Sequence, residues 1–68
     1  MAKSRIRNRI RELREGCEMT QAHLAKSCGC SRQTIISLEQ ERYVPSLSLA
    51  FGIARTLGVR IEEVFQPD

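Results

Sequence analysis

Apolar residues recur every three or four positions along most of the chain, which is the spacing that places side chains on one face of a helix. The first such set consists of Ile6, Ile10 and Leu13. Ser4 stands before this set as a possible N-cap, and Gly16 stands after it as a helix terminator. The pattern therefore predicts a first helix over about 4–15.

Three more helices are predicted because each apolar set follows a residue that caps helices well. The caps and their helices are Thr20 with about 21–27, Ser31 with about 32–39, and Ser46 with about 47–57. The last of these carries the clearest apolar stripe, made of Leu47, Ala50, Ile53, Ala54 and Leu57. Gly58 closes it, and "IEEVF" predicts a short final helix over about 61–65.

No segment alternates apolar and polar residues over the length of a strand, so we predict an all-α protein, a compact five-helix bundle. Sixty-eight residues make one domain, 1–68, with a small core. No apolar run approaches the ~18 residues that span a membrane, and the first residues lack the apolar stretch of a secretory signal. We therefore expect a cytoplasmic protein whose three cysteines stay reduced.

Positive charge is concentrated at the start of the chain. The whole chain carries a net charge of +3, while its first fifteen residues contain six basic and two acidic residues, a net +4. A basic region attracts polyanions, and nucleic acid is a common partner. These arginines would spread around more than one face of a helix, so a solvated helix surface explains the charge equally well.

Two of the three cysteines flank a glycine in the stretch "CGC" at 28–30. A structural zinc site needs four ligands, and the other candidates, Cys17 and His23, lie on parts of the chain that are not expected to converge there. The usual redox motif has two residues between its cysteines, not one. We therefore predict no metal site and no cofactor, and we treat Cys28 and Cys30 as small buried apolar residues.

The same stretch is better explained as the turn between two packed helices. Apolar residues occupy the positions that fill the angle between such helices, namely Leu24, Cys28, Cys30, Ile35 and Leu38. Ala25 lets the helices cross closely, and Gly29 can take the positive φ of a sharp turn. Residues 20–39 therefore show the helix-turn-helix pattern, although a helical hairpin without a DNA role can show part of it.

Most of the chain resembles the Cro/phage-repressor (Xre) helix-turn-helix family, in its small stand-alone form. The matching residues include "LR" at 13–14, "MTQ" at 19–21, "LA" at 24–25, "SRQTI" at 31–35, "LE" at 38–39, "RYVPS" at 42–46, "IA" at 53–54, "LGV" at 57–59 and "VF" at 64–65. The resemblance implies a five-helix, DNA-binding transcription regulator. It also implies a repressor that acts as a homodimer on a two-fold operator.

The sequence departs from the family pattern in two places. Gln40 and Glu41 stand where the family typically has Asn-Gly, and a left-handed helix end suits Glu41 poorly. Arg60 replaces the usual serine-type cap of the last helix. We therefore expect an altered end of the third helix and a ragged last helix.

In this family the second helix of the unit enters the major groove of DNA with its N-terminal residues toward the bases. The resemblance implies base contacts from Ser31, Arg32, Gln33, Thr34 and Ser37. Arg32 matches the two acceptors of guanine, and Gln33 matches the edge of adenine. For each residue, ordinary solvation of a helix surface is the alternative.

Further residues are expected to contact the DNA backbone or to support the unit. The expected phosphate contacts are Gln21, Arg14, Gln40, Arg42 and Tyr43. Gln21 begins the second helix, whose positive end attracts phosphate. The family often pairs the positions of Arg14 and Glu39, so we expect a structural ion pair that also orients Arg14 toward a phosphate.

Apolar residues near the C-terminus exceed what so small a core needs. Ile61 and Val64 are expected to complete the core. Phe51 and Phe65 are candidates for the dimer interface, with core packing as the alternative. In a dimer of this kind the two half-sites would lie about 34 Å apart, one turn of DNA.

The sequence does not indicate an enzyme, because it has one histidine, no phosphate-binding loop and no pair of carboxylates in a plausible cleft. The alternative to a DNA regulator is an antitoxin or adaptor whose main role is to bind a protein partner, since such proteins use the same fold. We therefore predict double-stranded DNA and a second copy as partners, no membrane, and leave open a further protein partner.

Overall fold

The computed structural model describes residues 6–67, which form five helices and a two-stranded sheet. The helices are α1 (Ile10–Gly16), α2 (Gln21–Cys28), α3 (Arg32–Glu39), α4 (Leu47–Leu57) and α5 (Ile61–Val64). The strands are β1 (Ile6–Asn8) and β2 (Phe65–Pro67). The mostly helical architecture is confirmed, while the sheet corrects the strict all-α class.

The two strands join the beginning and the end of the described chain. In their antiparallel register, Ile6 lies opposite Pro67, Arg7 opposite Gln66 and Asn8 opposite Phe65. The N–H of Arg9 extends the pairing by donating to the carbonyl of Val64 at 2.8 Å. Phe65 therefore belongs to β2, and the last helix ends one residue earlier than expected. Strands this short show no alternating pattern, and their partners are far apart in sequence, so local reading of the sequence misses them.

The first helix begins at Ile10, later than expected, because Ile6 lies in β1. Ser4, its expected cap, lies outside the described residues. The helix ends at Gly16 as predicted, but the left-handed residue of the following turn is Glu18, with a φ of 56°. The turn to α2 is therefore built on a glutamate rather than on the glycine.

The other helix ends follow the sequence signals. Side-chain oxygens of Thr20, Ser31 and Ser46 accept hydrogen bonds from the N–H groups three residues later, at 3.0, 3.1 and 3.1 Å. Gly29 and Gly58 close α2 and α4, each with a φ of 73°. At Arg60 the N–H donates to the carboxylate of Glu63 at 3.0 Å, which compensates for the missing serine-type cap of α5.

All five described helices contribute to one core, made of Ile10, Leu24, Ala25, Ile35, Leu38, Ile53, Ala54, Leu57 and Val64. Ile61 packs against it. Cys28 and Cys30 also pack against this core but are half-buried rather than buried, and burial raises the pKa of the Cys30 thiol. Leu47 departs from the predicted stripe of α4, because it is 69% exposed.

Candidate nucleic-acid interface

The start of α3 presents polar side chains to solvent. Arg32 and Gln33 are exposed in its first turn. The capping hydroxyl of Ser31 lies 2.9 Å from the hydroxyl of Thr34, which is half-buried, and Ser37 is also half-buried. Arg32 and Gln33 therefore have the exposure and the length to contact a partner, whereas the hydroxyls of Ser31 and Thr34 are engaged with each other.

An open depression lies beside α3, where α1 and the start of α2 approach it. Its lining includes Arg11, Arg14, Thr20, Gln21, Arg32 and Gln40. Arg11 is paired with Glu15 at 3.2 Å, but both side chains are exposed, so the pair adds little stability. The N-terminal end of α2, where the helix dipole is positive, opens at Gln21. Exposed arginine and a helix N-terminus on one surface suit a phosphate group.

The ion pair expected between Arg14 and Glu39 is present at the edge of this depression. Nε of Arg14 lies 2.8 Å from Oε2 of Glu39, and a second nitrogen lies 3.3 Å from Oε1. The two side chains are only 9% and 7% exposed. The remaining terminal nitrogen of Arg14 donates to the carbonyl of Met19 at 2.8 Å, and the hydrogen bond to Glu39 raises the pKa of Arg14. The arginine therefore joins α1, the turn before α2 and the end of α3.

Gln21 belongs to the same network. Its side-chain nitrogen donates to Oε1 of Glu39 at 3.1 Å. Glu39 therefore holds Gln21 and Arg14 together at the end of α3, and both hydrogen bonds lie within the protein. Direct phosphate contacts from these two side chains stay a prediction, whereas their contacts with Glu39 belong to the free protein.

The loop after α3 carries the other expected contacts in exposed positions: Gln40, Arg42 and Tyr43. Glu41 lies in this loop with a φ of 58°, in the left-handed region. The N–H groups of Glu41 and Arg42 donate to the carbonyls of Leu38 and Ser37 at 2.9 and 3.0 Å. The left-handed helix end is therefore present without a glycine, where a residue with a side chain costs about 1–2 kcal/mol.

Sequence reasoning missed Asn8, which connects β1 to the end of α3. Its side-chain nitrogen donates to the carbonyl of Leu38 at 2.7 Å, and its side-chain oxygen accepts from the N–H of Ile10 at 3.2 Å. Its backbone N–H donates to Oε2 of Glu41 at 3.3 Å. The residues that meet here are about thirty positions apart in sequence, so no local motif marks them.

An apolar surface lies beside the first turns of α4. Phe51, a predicted interface residue, is 46% exposed, while Val44 and Leu47 are exposed still further. The adjoining groove is lined by Ile6, Val44, Pro45, Leu47, Ala50, Ile61 and Phe65. Phe65, the second predicted interface residue, is half-buried and packs partly against the core. The sequence analysis did not assign Val44 to this surface. Its signal in the sequence is that it is an apolar residue in an otherwise polar connection.

Two kinds of feature are absent from the described part of the chain, residues 6–67. No group of three or more histidine, cysteine, aspartate or glutamate side chains is arranged to hold a metal ion. No helix has the length and the apolar character needed to cross a membrane.

Known proteins similar to this chain share its whole helical region. A family model described as "Helix-turn-helix" matches residues 10–64. The uncharacterized HTH-type transcriptional regulator MJ0272 of Methanocaldococcus jannaschii is 48% identical over 60 residues, covering 88% of this chain and 91% of that protein. An immunity repressor protein of Bacillus phage phi105 is 32% identical over 59 residues, covering 87% of this chain and 41% of the repressor.

Solved structures show the same fold. A protein from Bacteroides fragilis with the description "putative DNA-binding protein" aligns with a TM-score of 0.81 at 26% identity, covering 90% of this chain and 98% of that one. A hypothetical transcription factor, NHTF from Neisseria, aligns with a TM-score of 0.75 at 30% identity, covering 79% and 61%. With the match to the family model over α1 to α5, these findings show that the chain belongs to the Xre-type helix-turn-helix family of DNA-binding transcriptional regulators.

Proposed function

We propose that this protein is a sequence-specific repressor that binds a two-fold DNA operator as a homodimer, with α3 in the major groove. The observation that carries the proposal is the exposure of Arg32 and Gln33 at the start of α3. This is the end of a recognition helix that meets base edges. The similarity to a phage immunity repressor supports repression rather than activation.

Base recognition falls mainly to two side chains. The guanidinium of Arg32 offers two donors for O6 and N7 of guanine, and the amide of Gln33 fits N6 and N7 of adenine. The Ser31–Thr34 hydroxyl pair keeps the first turn of α3 in shape, and the methyl group of Thr34 can contact thymine. Ser37 is short and half-buried, so it reaches only an atom brought close by the others.

Contacts to the DNA backbone flank α3 on both sides. On one side, the N-terminal end of α2 at Gln21 faces a phosphate, with Arg14 behind it. On the other side, Gln40, Arg42 and Tyr43 stand exposed in the loop. Contacts to phosphate fix the register of the protein on DNA but carry no sequence information. Sequence recognition is therefore assigned to α3, and positioning of the protein on DNA is assigned to the contacts on either side of it.

The second copy is expected to bind at the apolar surface of α4. Phe51, Leu47 and Val44 are large apolar side chains that remain exposed, and the groove beside them reaches Phe65. A dimer in which the second copy adds a strand beside β2 is less suitable, because the N–H of Phe65 already donates to the carbonyl of Ile61. Association by side-chain packing is therefore favoured over extension of the sheet.

The test of DNA recognition begins with selection of bound sites from random duplexes. Gln33→Ala should then lose about 1–3 kcal/mol on the selected site and relax base choice there. Arg42→Ala should weaken binding to selected and random DNA alike. It should also reduce the slope of log affinity against log salt concentration by about one. Ser48→Ala, at an exposed position of α4, is the matched control and should change neither. Equal losses from Gln33→Ala and Arg42→Ala on both kinds of DNA would contradict this division of labour.

The test of assembly compares two neighbouring substitutions. Leu47→Glu places a charge on the apolar surface, whereas Ser48→Glu places the same charge at an exposed polar position. Sedimentation equilibrium should find a monomer for the first and a dimer for the second. A monomeric parent protein would contradict the homodimer. A stable complex with an unrelated chain and no selective DNA binding would favour the antitoxin or adaptor function.

A further inference from the structure

Two hydrogen bonds made by the side chain of Asn8 allow its amide group only one orientation. The side-chain oxygen accepts from the N–H of Ile10, and the side-chain nitrogen donates to the carbonyl of Leu38. Exchanging the two amide atoms would set oxygen against oxygen at Leu38, so the amide cannot turn over without losing both bonds. The same side chain therefore starts α1 and holds the end of α3.

The contact with α3 falls at the point where its backbone leaves the helix. The carbonyl of Leu38 accepts from Asn8 at 2.7 Å and from the N–H of Glu41 at 2.9 Å. Glu41 in turn accepts from the backbone N–H of Asn8 at 3.3 Å and takes a left-handed φ. Asn8 thus meets both the last turn of α3 and the residue that ends it.

The other side of Asn8 belongs to the terminal sheet. Asn8 lies opposite Phe65 in the pairing of β1 with β2. Phe65 and Ile6, at the other end of β1, both line the apolar groove that is proposed to receive the second copy. A single three-residue strand therefore reaches from the groove to the end of α3.

We propose that Asn8 is a positioning residue that sets the recognition helix relative to the dimer surface, and thereby the half-site separation that the dimer accepts. This inference rests on the proposed function. In a two-fold dimer, the distance between the two copies of α3 depends on how each helix is joined to the shared surface. Hydrogen bonds to base edges tolerate only a few tenths of an ångström, so a shift at the end of an eight-residue helix changes which spacing fits.

Two substitutions of Asn8 separate its roles. Asn8→Ala removes both side-chain hydrogen bonds without a change in charge. Asn8→Asp keeps an acceptor for the N–H of Ile10 but replaces the donor to Leu38 with an oxygen. Gly58→Ala is the control for stability, because it strains the C-terminal end of α4 at a φ of 73° and lies outside α3, β1 and the groove.

The first measurement uses DNA. The parent protein, both Asn8 variants and Gly58→Ala are titrated with a panel of selected operators whose half-site spacing differs by single base pairs, and with random duplexes. Both Asn8 variants should lose about tenfold in the ratio of selected to random affinity, which is about 1.4 kcal/mol. They should also accept a wider range of spacings. Gly58→Ala should keep the parent's ratio and spacing.

The second measurement uses the free protein, so it does not depend on DNA binding. Amide hydrogen exchange of Glu41 and Arg42 should speed up in both Asn8 variants and stay at the parent rate in Gly58→Ala, after correction for global stability. Unchanged exchange, or an unchanged ratio and spacing, would overturn the role of Asn8. Faster exchange in a protein whose parent form shows no selective DNA binding would support Asn8 as the link to α3 and reject the proposed function instead.

Discussion

The two ends of α3 are held by different means. At its start, Gly29 turns the chain and Ser31 caps the helix, so the whole arrangement lies within a few residues of sequence. At its end, Asn8 from β1 and Arg14 from α1 reach the last turn from far along the chain. The end that carries Arg32 and Gln33 is thus defined locally, and the other end is defined by contacts with distant parts of the chain.

The contacts at the two ends of α3 should also differ in how much they contribute to the free energy of unfolding. Local caps contribute about 1 kcal/mol each, because they satisfy one N–H that water would otherwise bind. A buried ion pair behaves differently, because removing one partner leaves a charge in a poorly solvated place. The loss of stability should therefore be larger for a substitution at the far end of α3 than for one at its start. Four sets of substitutions test this, in order of expected size.

The largest effect is expected at the ion pair. Arg14→Met leaves the carboxylate of Glu39, 7% exposed, without its cation, and should reduce the free energy of unfolding by about 3–5 kcal/mol. Denaturant unfolding followed by circular dichroism measures this. The double variant Arg14→Met with Glu39→Leu should recover much of the loss, since no charge then remains buried. A loss smaller than the about 1 kcal/mol expected for a helix cap would contradict the proposed difference between the two ends of α3.

The next effect belongs to the turn before α3. Gly29→Ala places a side chain at a φ of 73° and should cost about 1–2 kcal/mol, although nothing blocks the new methyl group. Gly52→Ala is a matched control, because this glycine lies inside α4 with space for a methyl group. It should stabilise the protein by about 0.5–1 kcal/mol. The midpoint temperatures of thermal unfolding of the two variants should shift in opposite directions relative to the parent protein. Shifts of the same sign would contradict the argument from backbone conformation.

A smaller loss is expected for the cap itself. Ser31→Ala removes the acceptor for the N–H of Thr34 and should cost about 1 kcal/mol in the free energy of unfolding. Ser31→Asp restores an acceptor at the same place and should recover most of the loss, as urea titrations of the two variants can show. If both variants lose equally, the cap is not what defines the start of α3.

The smallest net effect is expected at the left-handed residues. Glu18→Gly relieves the backbone in the turn before α2 and should stabilise the protein by about 0.5–1 kcal/mol. Glu41→Gly relieves the same strain but also loses the hydrogen bond from Asn8, so its change should be smaller. Differential scanning calorimetry of both variants compares the two sites. A larger gain at Glu41 than at Glu18 would show that the bond to Asn8 adds nothing.

What the sequence predicted follows the same division between local and distant contacts. The caps at Thr20, Ser31 and Ser46 and the turn at Gly29 depend on neighbours in sequence, and all four are present. The pair of Arg14 with Glu39 is distant and was expected only through the resemblance to a family. The spacing of residues did not indicate this contact between α1 and α3.

The features that the sequence analysis did not predict have the same physical origin. Ile6 has helical spacing with Ile10, but it lies in β1 because its partner strand lies at the other end of the described chain. Leu47 fits the stripe of α4 but lies in the first turn, where the core no longer covers it. Asn8 is a common turn residue whose partner, Leu38, is revealed only by folding. The roles of Arg32 and Gln33 toward DNA stay predictions, since only a complex tests them.

The antiparallel pairing of Ile6 with Pro67 has a practical consequence for handling the protein. An affinity tag would join the described part of the chain at Ile6 or at Pro67, and the strands that contain these residues lie beside the groove lined by Val44 and Leu47. A tag there can cover the groove or fill it. Measurements of mass and of DNA affinity should therefore use protein from which the tag has been removed, and a fluorophore is better attached at the exposed thiol of Cys17 than at either terminus.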